Sequence, residues 1–316
     1  MTDKTLRIQM TIDTTPDVVF DALTQTDALN GWLSSQAEVS LEEQHYAFWG
    51  KEIPDNPDKT QGTNPITRYE TDRLLEFSWQ VKDGIDTIVT IKLLPKDNTT
   101  VLTLLQTRVA TGSYHSAISN MEDFWFLSLE NLRRYLDGKP CDARVDYSKP
   151  LTGDVVWSTD IDADIDTVFD VLTKPEKLNR WIASDASVNL KVGGELSYGW
   201  KGVPPFKIVE LEPGRKIAHD WAEANEKGEI QTTIVTWTLE ENNGKTRLTL
   251  VQSGFADDEN TAGIQVGWRN FVNSIRSVAE YGDNWRPPTI KINNDALISY
   301  YADSVGEAQS EFITED

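Results

Sequence analysis

The sequence has few of the residues that build disulfides, nucleic-acid interfaces and membrane spans. Cys141 is the single cysteine among 316 residues, so the chain cannot form an intramolecular disulfide, and we expect a reducing compartment. The 51 acidic residues outnumber the 30 Lys and Arg and give a net charge of −21, which argues against nucleic acid as a partner. No apolar run has the length of a transmembrane helix, and the first residues lack the apolar core of a signal peptide. We therefore predict a cytoplasmic protein without membrane insertion.

The sequence also lacks the common signatures of catalysis and cofactor binding. Neither GxxxxGK[ST] nor GxGxxG occurs, and no serine has the context of a nucleophile elbow. The three histidines, His45, His115 and His219, are far apart in the chain, and none has a second His or Cys at metal-ligand spacing. We therefore predict no metal, no cofactor and no catalytic residue, and we favour a binding protein over an enzyme.

An internal repeat of domain size is the main positive feature of the sequence. The segment IDTTPDVVFDALTQTDALNGW, which begins at Ile12, aligns without a gap on IDADIDTVFDVLTKPEKLNRW, which begins at Ile161. Further along the chain, TIVTIKL (87–93) matches TIVTWTL (233–239), and VLTLLQT matches RLTLVQS. A repeat of this length predicts two copies of one domain rather than a solenoid.

Both copies have the same order of predicted elements: a strand, two short helices, a run of antiparallel strands and a long helix. Alternating apolar residues from Leu6 to Ile12 predict the first strand, and Thr15-Pro16 predicts the start of the first helix. The last helix of the second copy has a broad apolar stripe from Trp268 to Ala279. A sheet with one polar face must cover its other face, and only this helix is long enough to do so. The pattern therefore predicts an α+β fold.

The predicted domain boundaries follow from the repeat and from the stretches between and after its copies. We place copy 1 at residues 1–138, an aperiodic linker at 139–153, and copy 2 at 154–282. An acidic extension follows at 283–316, and we expect its end, from residue 303, to be frayed. A loop rich in Pro, Asp and Asn is predicted over residues 52–65.

The motifs IDADIDTVFDVLT, LNRW, GGE, KIAHDW, RLTLVQSGF and GWRNF resemble, in this order, those of the helix-grip superfamily, also called START-like or SRPBCC. Within it the chain is similar to the activator of heat-shock-protein-90 ATPase homologue, C-terminal-domain type. The resemblance implies two tandem helix-grip domains, each a curved antiparallel sheet wrapped around a long C-terminal helix, with two short helices. It also implies an apolar cavity between sheet and helix. The second copy carries all the motifs, whereas the first lacks the Gly-Gly-Glu turn.

Candidate ligand-binding residues therefore come from the second copy. They are Trp200, Phe206, His219, Trp221, Trp237, Gln252, Trp268 and Phe271. The aromatic members can line a cavity or fill a solid core, and His219 can face the cavity or pack as an ordinary histidine. Gln252 shares a strand face with Leu248 and Leu250, so we expect it to point inward. There it can bond backbone at the end of its strand or hold the polar group of a ligand.

Three functions are compatible with these features. The first is non-enzymatic binding of a small hydrophobic molecule, which a dry cavity without a polar cluster would favour. The second is a co-chaperone-like activation of the heat-shock protein 90 ATPase, with the chaperone as partner, which an exposed apolar or charged patch would favour. The third is a cyclase- or hydrolase-like activity, which two or more titratable groups converging in the cavity would favour.

Overall fold

The chain contains two compact units. The computed structural model describes residues 4–54, 64–81, 85–109, 121–224 and 230–292. One unit ends at Pro150 and also includes the segment that begins at Arg286, and the other is Leu151–Trp285. No helix in these ranges is long and apolar enough to cross a membrane. Most of the predicted loop over 52–65 and the tail from residue 303 lie outside the described residues.

The first unit is an antiparallel sheet with a separate hairpin and one long helix. Its strands are β1 (Lys4–Ile12), β2 (Gln36–Ser40), β3 (His45–Trp49), β4 (Ile66–Glu70), β5 (Leu74–Val81), β6 (Ile85–Lys96), β7 (Thr99–Val109) and a strand from the end of the chain, Thr289–Ile292. Its helices are α1 (Pro16–Thr24), α2 (Thr26–Trp32) and α3 (Met121–Leu136). The sheet order is Thr289–Ile292, β1, β7, β6, β5, β4, and β2 pairs with β3.

The second unit repeats this arrangement with the hairpin joined to the sheet. Its strands are β8 (Val155–Ile161), β9 (Ser187–Val188), β10 (Glu195–Ser197), β11 (Phe206–Glu212), β12 (Lys216–Ala224), β13 (Ile230–Asn242) and β14 (Lys245–Ser253). Its helices are α4 (Ile165–Thr173), α5 (Pro175–Leu178) and α6 (Ala262–Tyr281). The sheet order is β8, β14, β13, β12, β11, β10, β9. The prediction of two tandem helix-grip domains is confirmed.

The repeated motif around the short helices has a physical basis in two indole hydrogen bonds. Trp32 Nε1 donates to the carbonyl oxygen of Ala22, and Trp181 Nε1 donates to that of Val171, both at 2.9 Å. Each bond connects a tryptophan at or just after the end of the second short helix to the last turn of the first, which is α1 in one domain and α4 in the other. Because a buried N–H without an acceptor is unfavourable, this spacing of Trp and helix is retained in both copies.

The Gly-Gly-Glu turn of the second copy is explained by the β9–β10 hairpin. Gly193 has φ +78°, in the left-handed region that favours glycine. A Cβ added to Gly194 would lie 2.0 Å from the carbonyl oxygen of Asn189, so this backbone approach excludes any side chain. The two glycines thus have a structural role here.

The final strand, Thr289–Ile292, returns to the sheet of the first domain. It is numbered β15 and pairs antiparallel with β1, with Leu6 opposite Ile292 and Ile8 opposite Ile290. These residues fall in the predicted extension 283–316, and their pairing with β1 was not predicted. A four-residue strand has too short an alternation to be recognised from periodicity, and its partner lies about 280 residues earlier.

Candidate functional site

A chain of side-chain hydrogen bonds connects the long helix to the sheet in the second domain. The indole N–H of Trp268 on α6 donates to Gln252 Oε1, and Gln252 Nε2 donates to Thr233 Oγ1 at 2.8 Å. The Thr233 hydroxyl then donates to the carbonyl oxygen of Trp221 at 3.2 Å. Gln252 is fully buried, as predicted. Its partners are the side chains of Trp268 and Thr233, whereas the two predicted roles were a backbone bond at the end of its strand and an anchor for a ligand.

The first domain contains the same chain of hydrogen bonds. Trp125 Nε1 donates to Gln106 Oε1 at 2.8 Å, and Gln106 Nε2 donates to Thr87 Oγ1 at 3.0 Å. The Thr87 hydroxyl donates to the carbonyl oxygen of Trp79 at 2.7 Å. These bonds define equivalent positions, so Trp125 corresponds to Trp268 of the second domain.

Gln252→Leu should lower the free energy of unfolding of the second domain by about 1–3 kcal/mol, because the buried indole N–H of Trp268 loses its acceptor. Urea unfolding followed by hydrogen exchange would measure the two domains separately. Gln106→Leu is the matched control and should have a similar effect on the first domain. If Gln252→Leu left stability unchanged but removed a ligand that copurifies with the protein, Gln252 would instead be a ligand anchor.

All eight predicted site residues lie together in one cluster between the sheet and α6. Trp221 is its centre, with the ring of Phe206 stacked at 4.7 Å and those of Trp268 and Trp200 at 5.2 and 5.8 Å. The remaining members adjoin these rings. They are His219 beside Phe206, Trp237 and Phe271 beside Trp268, and Gln252 bonded to Trp268. The cluster is therefore built of rings in mutual contact.

Tyr198 also belongs to the cluster and was not predicted as a site residue. Its hydroxyl lies 3.4 Å from Nε2 of His219, and its ring lies 5.1 Å from that of Trp200. The signal available in the sequence was its place on the face of the hairpin that also carries Leu196 and Trp200.

The Tyr198–His219 pair is buried, and its protonation state follows from its hydrogen bonds. His219 Nδ1 lies 2.9 Å from the carbonyl oxygen of Asp220, which can only accept, so Nδ1 carries the proton. Nε2 is then the acceptor and Tyr198 the donor. Burial lowers the pKa of His219 to about 4 and raises the pKa of the Tyr198 hydroxyl, so both groups are neutral near pH 7.

The first domain has an apolar pair where the second has Tyr198 and His219. Trp79 of β5 and Trp221 of β12 are equivalent, because each carbonyl oxygen accepts the last bond of the hydrogen-bond chain in its domain. Two residues earlier, β5 carries Phe77 and β12 carries His219. Phe77 lies edge-on to Phe48, with ring centroids 6.0 Å apart and an interplanar angle of 84°. His219 lies edge-on to Tyr198 at 6.2 Å and 81°. The packing geometry is thus shared, and only the second domain makes the pair polar.

The two long helices differ at the residue just before their equivalent tryptophans. The first domain has Phe124 there, whose ring lies 5.5 Å from that of Trp79 and 5.1 Å from that of Trp125. The second has Gly267, and a Cβ added to it would meet no heavy atom of the described residues within 4 Å apart from its chain neighbours and helix backbone. Trp79 is fully buried, whereas Trp221 is partly exposed. The second domain therefore lacks, just before Trp268, the phenyl ring that packs against Trp79 in the first.

Metal ligation has no support among the residues that the structure describes. No three His, Cys, Asp or Glu side chains in those ranges come close enough to hold an ion. His45 lies 3.7 Å from the carboxylate of Glu38, and His115 lies outside the described residues.

Comparison with known proteins identifies one family. The family model described as activator of Hsp90 ATPase homolog 1-like protein matches residues 13–137 and again residues 162–280. The two matched segments fall in the two units separately. A search of curated proteins finds no match.

Several solved structures are similar to the chain. A protein from Mesorhizobium loti is 24% identical over 41% of this chain and 98% of its own, with a TM-score of 0.37. The Aha1 dimer from Colwellia psychrerythraea is 21% identical over 41% and 98%, with a TM-score of 0.36. DynU16, a protein of the dynemicin biosynthetic locus, is 16% identical over 88% of this chain and 98% of its own, with a TM-score of 0.32.

Proposed function

We propose that the second domain of this chain binds a small apolar molecule between the sheet and the long helix. The chain belongs to the family of activator of Hsp90 ATPase homolog 1-like proteins, and the proposal proceeds from that membership. The observation that carries the proposal is the exchange of Phe124 in the first domain for Gly267 in the second. The exchange removes from the second domain the ring that packs against Trp79 in the first, and a Cβ added to Gly267 would meet no heavy atom of the described residues within 4 Å beyond its chain neighbours and helix backbone. A ligand ring placed there would regain the contacts that Phe124 makes in the first domain.

The protonation of the buried pair favours binding over catalysis. A general base is most effective when its pKa is near the working pH. Burial holds the pKa of His219 at about 4, and the Tyr198 hydroxyl is a weaker acid than in water. Near neutral pH these two titratable groups can donate and accept hydrogen bonds, but they are poorly matched to proton transfer. A cyclase- or hydrolase-like activity is therefore the less supported alternative.

Gly267→Phe should abolish binding of an apolar probe without unfolding the domain. The new ring would occupy the site, and a phenyl ring at this position is already accommodated in the first domain at Phe124. Replacing a glycine inside a helix also removes a destabilisation of up to about 1 kcal/mol. Equilibrium dialysis of naphthalene against the full-length chain should show about tenfold or greater loss of affinity.

The matched control is Phe124→Ala, which should open an equivalent space in the first domain and raise the naphthalene stoichiometry from one to two. Naphthalene binding to Gly267→Phe with the affinity of the wild type would contradict the proposal. Native mass spectrometry of the purified wild type and Gly267→Phe proteins would test the same site for a ligand that copurifies.

Activation of a heat-shock-protein-90 ATPase is a second candidate, and exposed apolar side chains on one edge of the second domain favour it. They are Leu190, Val192, Val203 and Val209. The two segments that carry Val192 and Val209 are held together because the Gly193 N–H donates to the carbonyl oxygen of Ile208 at 2.8 Å. ATP turnover by a purified heat-shock-protein-90 ATPase, with and without this protein, tests the candidate. An unchanged rate would remove it.

A further inference from the structure

We infer that the second domain selects, among small ring-containing molecules, those that carry a hydroxyl group, and that Tyr198 and His219 recognise that group. This inference rests on the proposed function and specifies the chemistry of its ligand. It starts from the difference between the two domains, which place a polar pair and an apolar pair in the same geometry.

The apolar pair shows that the packing of the core does not require polar groups here. Phe48 and Phe77 fill the corresponding positions of the first domain and are both almost fully buried. Burying a hydroxyl and an imidazole in their place has a desolvation cost for each group that is not well hydrogen-bonded. The polar pair of the second domain is therefore not explained by packing alone.

The hydrogen bond within the pair is too long to satisfy both groups fully. The distance of 3.4 Å between the Tyr198 hydroxyl and His219 Nε2 lies well beyond the usual range for a hydroxyl donor. His219 Nδ1 is held by the carbonyl oxygen of Asp220, which fixes the ring with Nε2 toward Tyr198. The pair thus presents one O–H donor and one nitrogen acceptor, both with capacity for a further partner.

A hydroxyl group complements this pair because it donates and accepts at the same time. Its hydrogen can be donated to His219 Nε2, while its oxygen accepts the hydrogen of the Tyr198 hydroxyl. An ether or ketone could only accept, and an ammonium group could only donate, so neither would satisfy both groups. Both partners are neutral near pH 7, which also disfavours a charged ligand.

Trp221 connects the pair with the part of α6 that carries Gly267. The rings of Tyr198 and His219 lie 6.3 and 6.1 Å from that of Trp221. Gly267 directly precedes Trp268, whose ring lies 5.2 Å from that of Trp221, and it takes the place of Phe124, whose ring packs against Trp79 in the first domain. A molecule of about two fused rings could therefore place a ring beside Trp221 and direct a hydroxyl toward the pair.

Two probes of nearly equal size, 2-naphthol and naphthalene, test the inference by equilibrium dialysis against the full-length chain. An apolar site alone would prefer naphthalene, the less polar of the two. We expect the wild type to bind 2-naphthol about tenfold more tightly than naphthalene, because only 2-naphthol can bond the pair. The double variant Tyr198→Phe with His219→Phe, which copies the apolar pair of the first domain, should lose this preference.

The outcomes separate this inference from the proposed function. Equal binding of the two probes by the wild type, or an unchanged preference in the double variant, would overturn the inference and leave the proposed function in place. Failure of both probes to bind would refute the proposed function and the inference with it.

Near-UV circular dichroism checks that the double variant is folded. If it is not, the single variant Tyr198→Phe, which removes only the hydroxyl oxygen, should lower the preference for 2-naphthol, and an unchanged preference would again overturn the inference.

Discussion

Phe271→Ala should lower the free energy of unfolding of the second domain by about 3–5 kcal/mol. Phe271 lies on α6 and is 8% exposed, and its ring contacts those of Trp181 at 5.9 Å and Trp268 at 5.6 Å. Truncation to alanine removes the apolar area of the ring from the core and leaves a cavity that rigid indole neighbours cannot fill by small shifts. Hydrogen exchange of the strands of the second domain, measured over a urea series, would give the change for that domain by itself.

The control for this substitution is Phe124→Ala in the first domain, where the ring packs between Trp79 and Trp125. If the surroundings of Phe271 are as tightly filled, the two losses of stability should be similar. A clearly smaller loss for Phe271→Ala would mean that open space extends from Gly267 to this ring, because fewer contacts would then be lost. No loss at all would contradict the assignment of Phe271 to the core.

Lowering the pH from about 6.5 to 4 should destabilise the second domain by about 3 kcal/mol through His219 alone. Burial holds the pKa of His219 at about 4 in the folded protein, whereas the imidazole has its ordinary pKa of 6.5 once unfolded. Within this window the unfolded chain takes up a proton that the folded chain does not, so the free energy of unfolding falls as the pH falls. Well above pH 6.5 the imidazole is unprotonated in both the folded and the unfolded chain, so the contribution of His219 to the free energy of unfolding is fully retained.

His219→Phe is the control, because it removes the titration and copies Phe77 of the first domain. Carboxylates also titrate over part of this range, but they are the same in both proteins, so the difference between wild type and variant isolates His219. Urea unfolding at a series of pH values should show a steeper loss of stability for the wild type. Parallel curves would mean that the imidazole is protonated or solvated in the folded state.

Local patterns in the sequence predicted most of each domain because they depend on residues close together in the chain. The Thr15-Pro16 signal predicted the start of α1, and the equivalent helix α4 begins after Asp164, whose Oδ1 accepts from the Thr167 N–H at 2.7 Å. The Asn243-Gly244 turn between β13 and β14 has both residues at positive φ, as a tight hairpin requires. The inward direction of Gln252 followed from the period of its strand, but its partners Trp268 and Thr233 did not, since they depend on how α6 crosses the sheet.

The sequence by itself determined that this protein has two copies of one α+β domain, which strand faces are apolar, and which residues of the second copy are aromatic. Periodicity and spacing are properties of the chain, so they can be read without coordinates. Only the tertiary structure decided that His219 stands where the first domain has Phe77, that Tyr198 is its partner, and that Gly267 stands at the place of Phe124. These relations join different strands and a helix, and they depend on register and helix position. Strand register and helix position are not encoded in any short stretch of sequence, because both are set by how distant elements pack together.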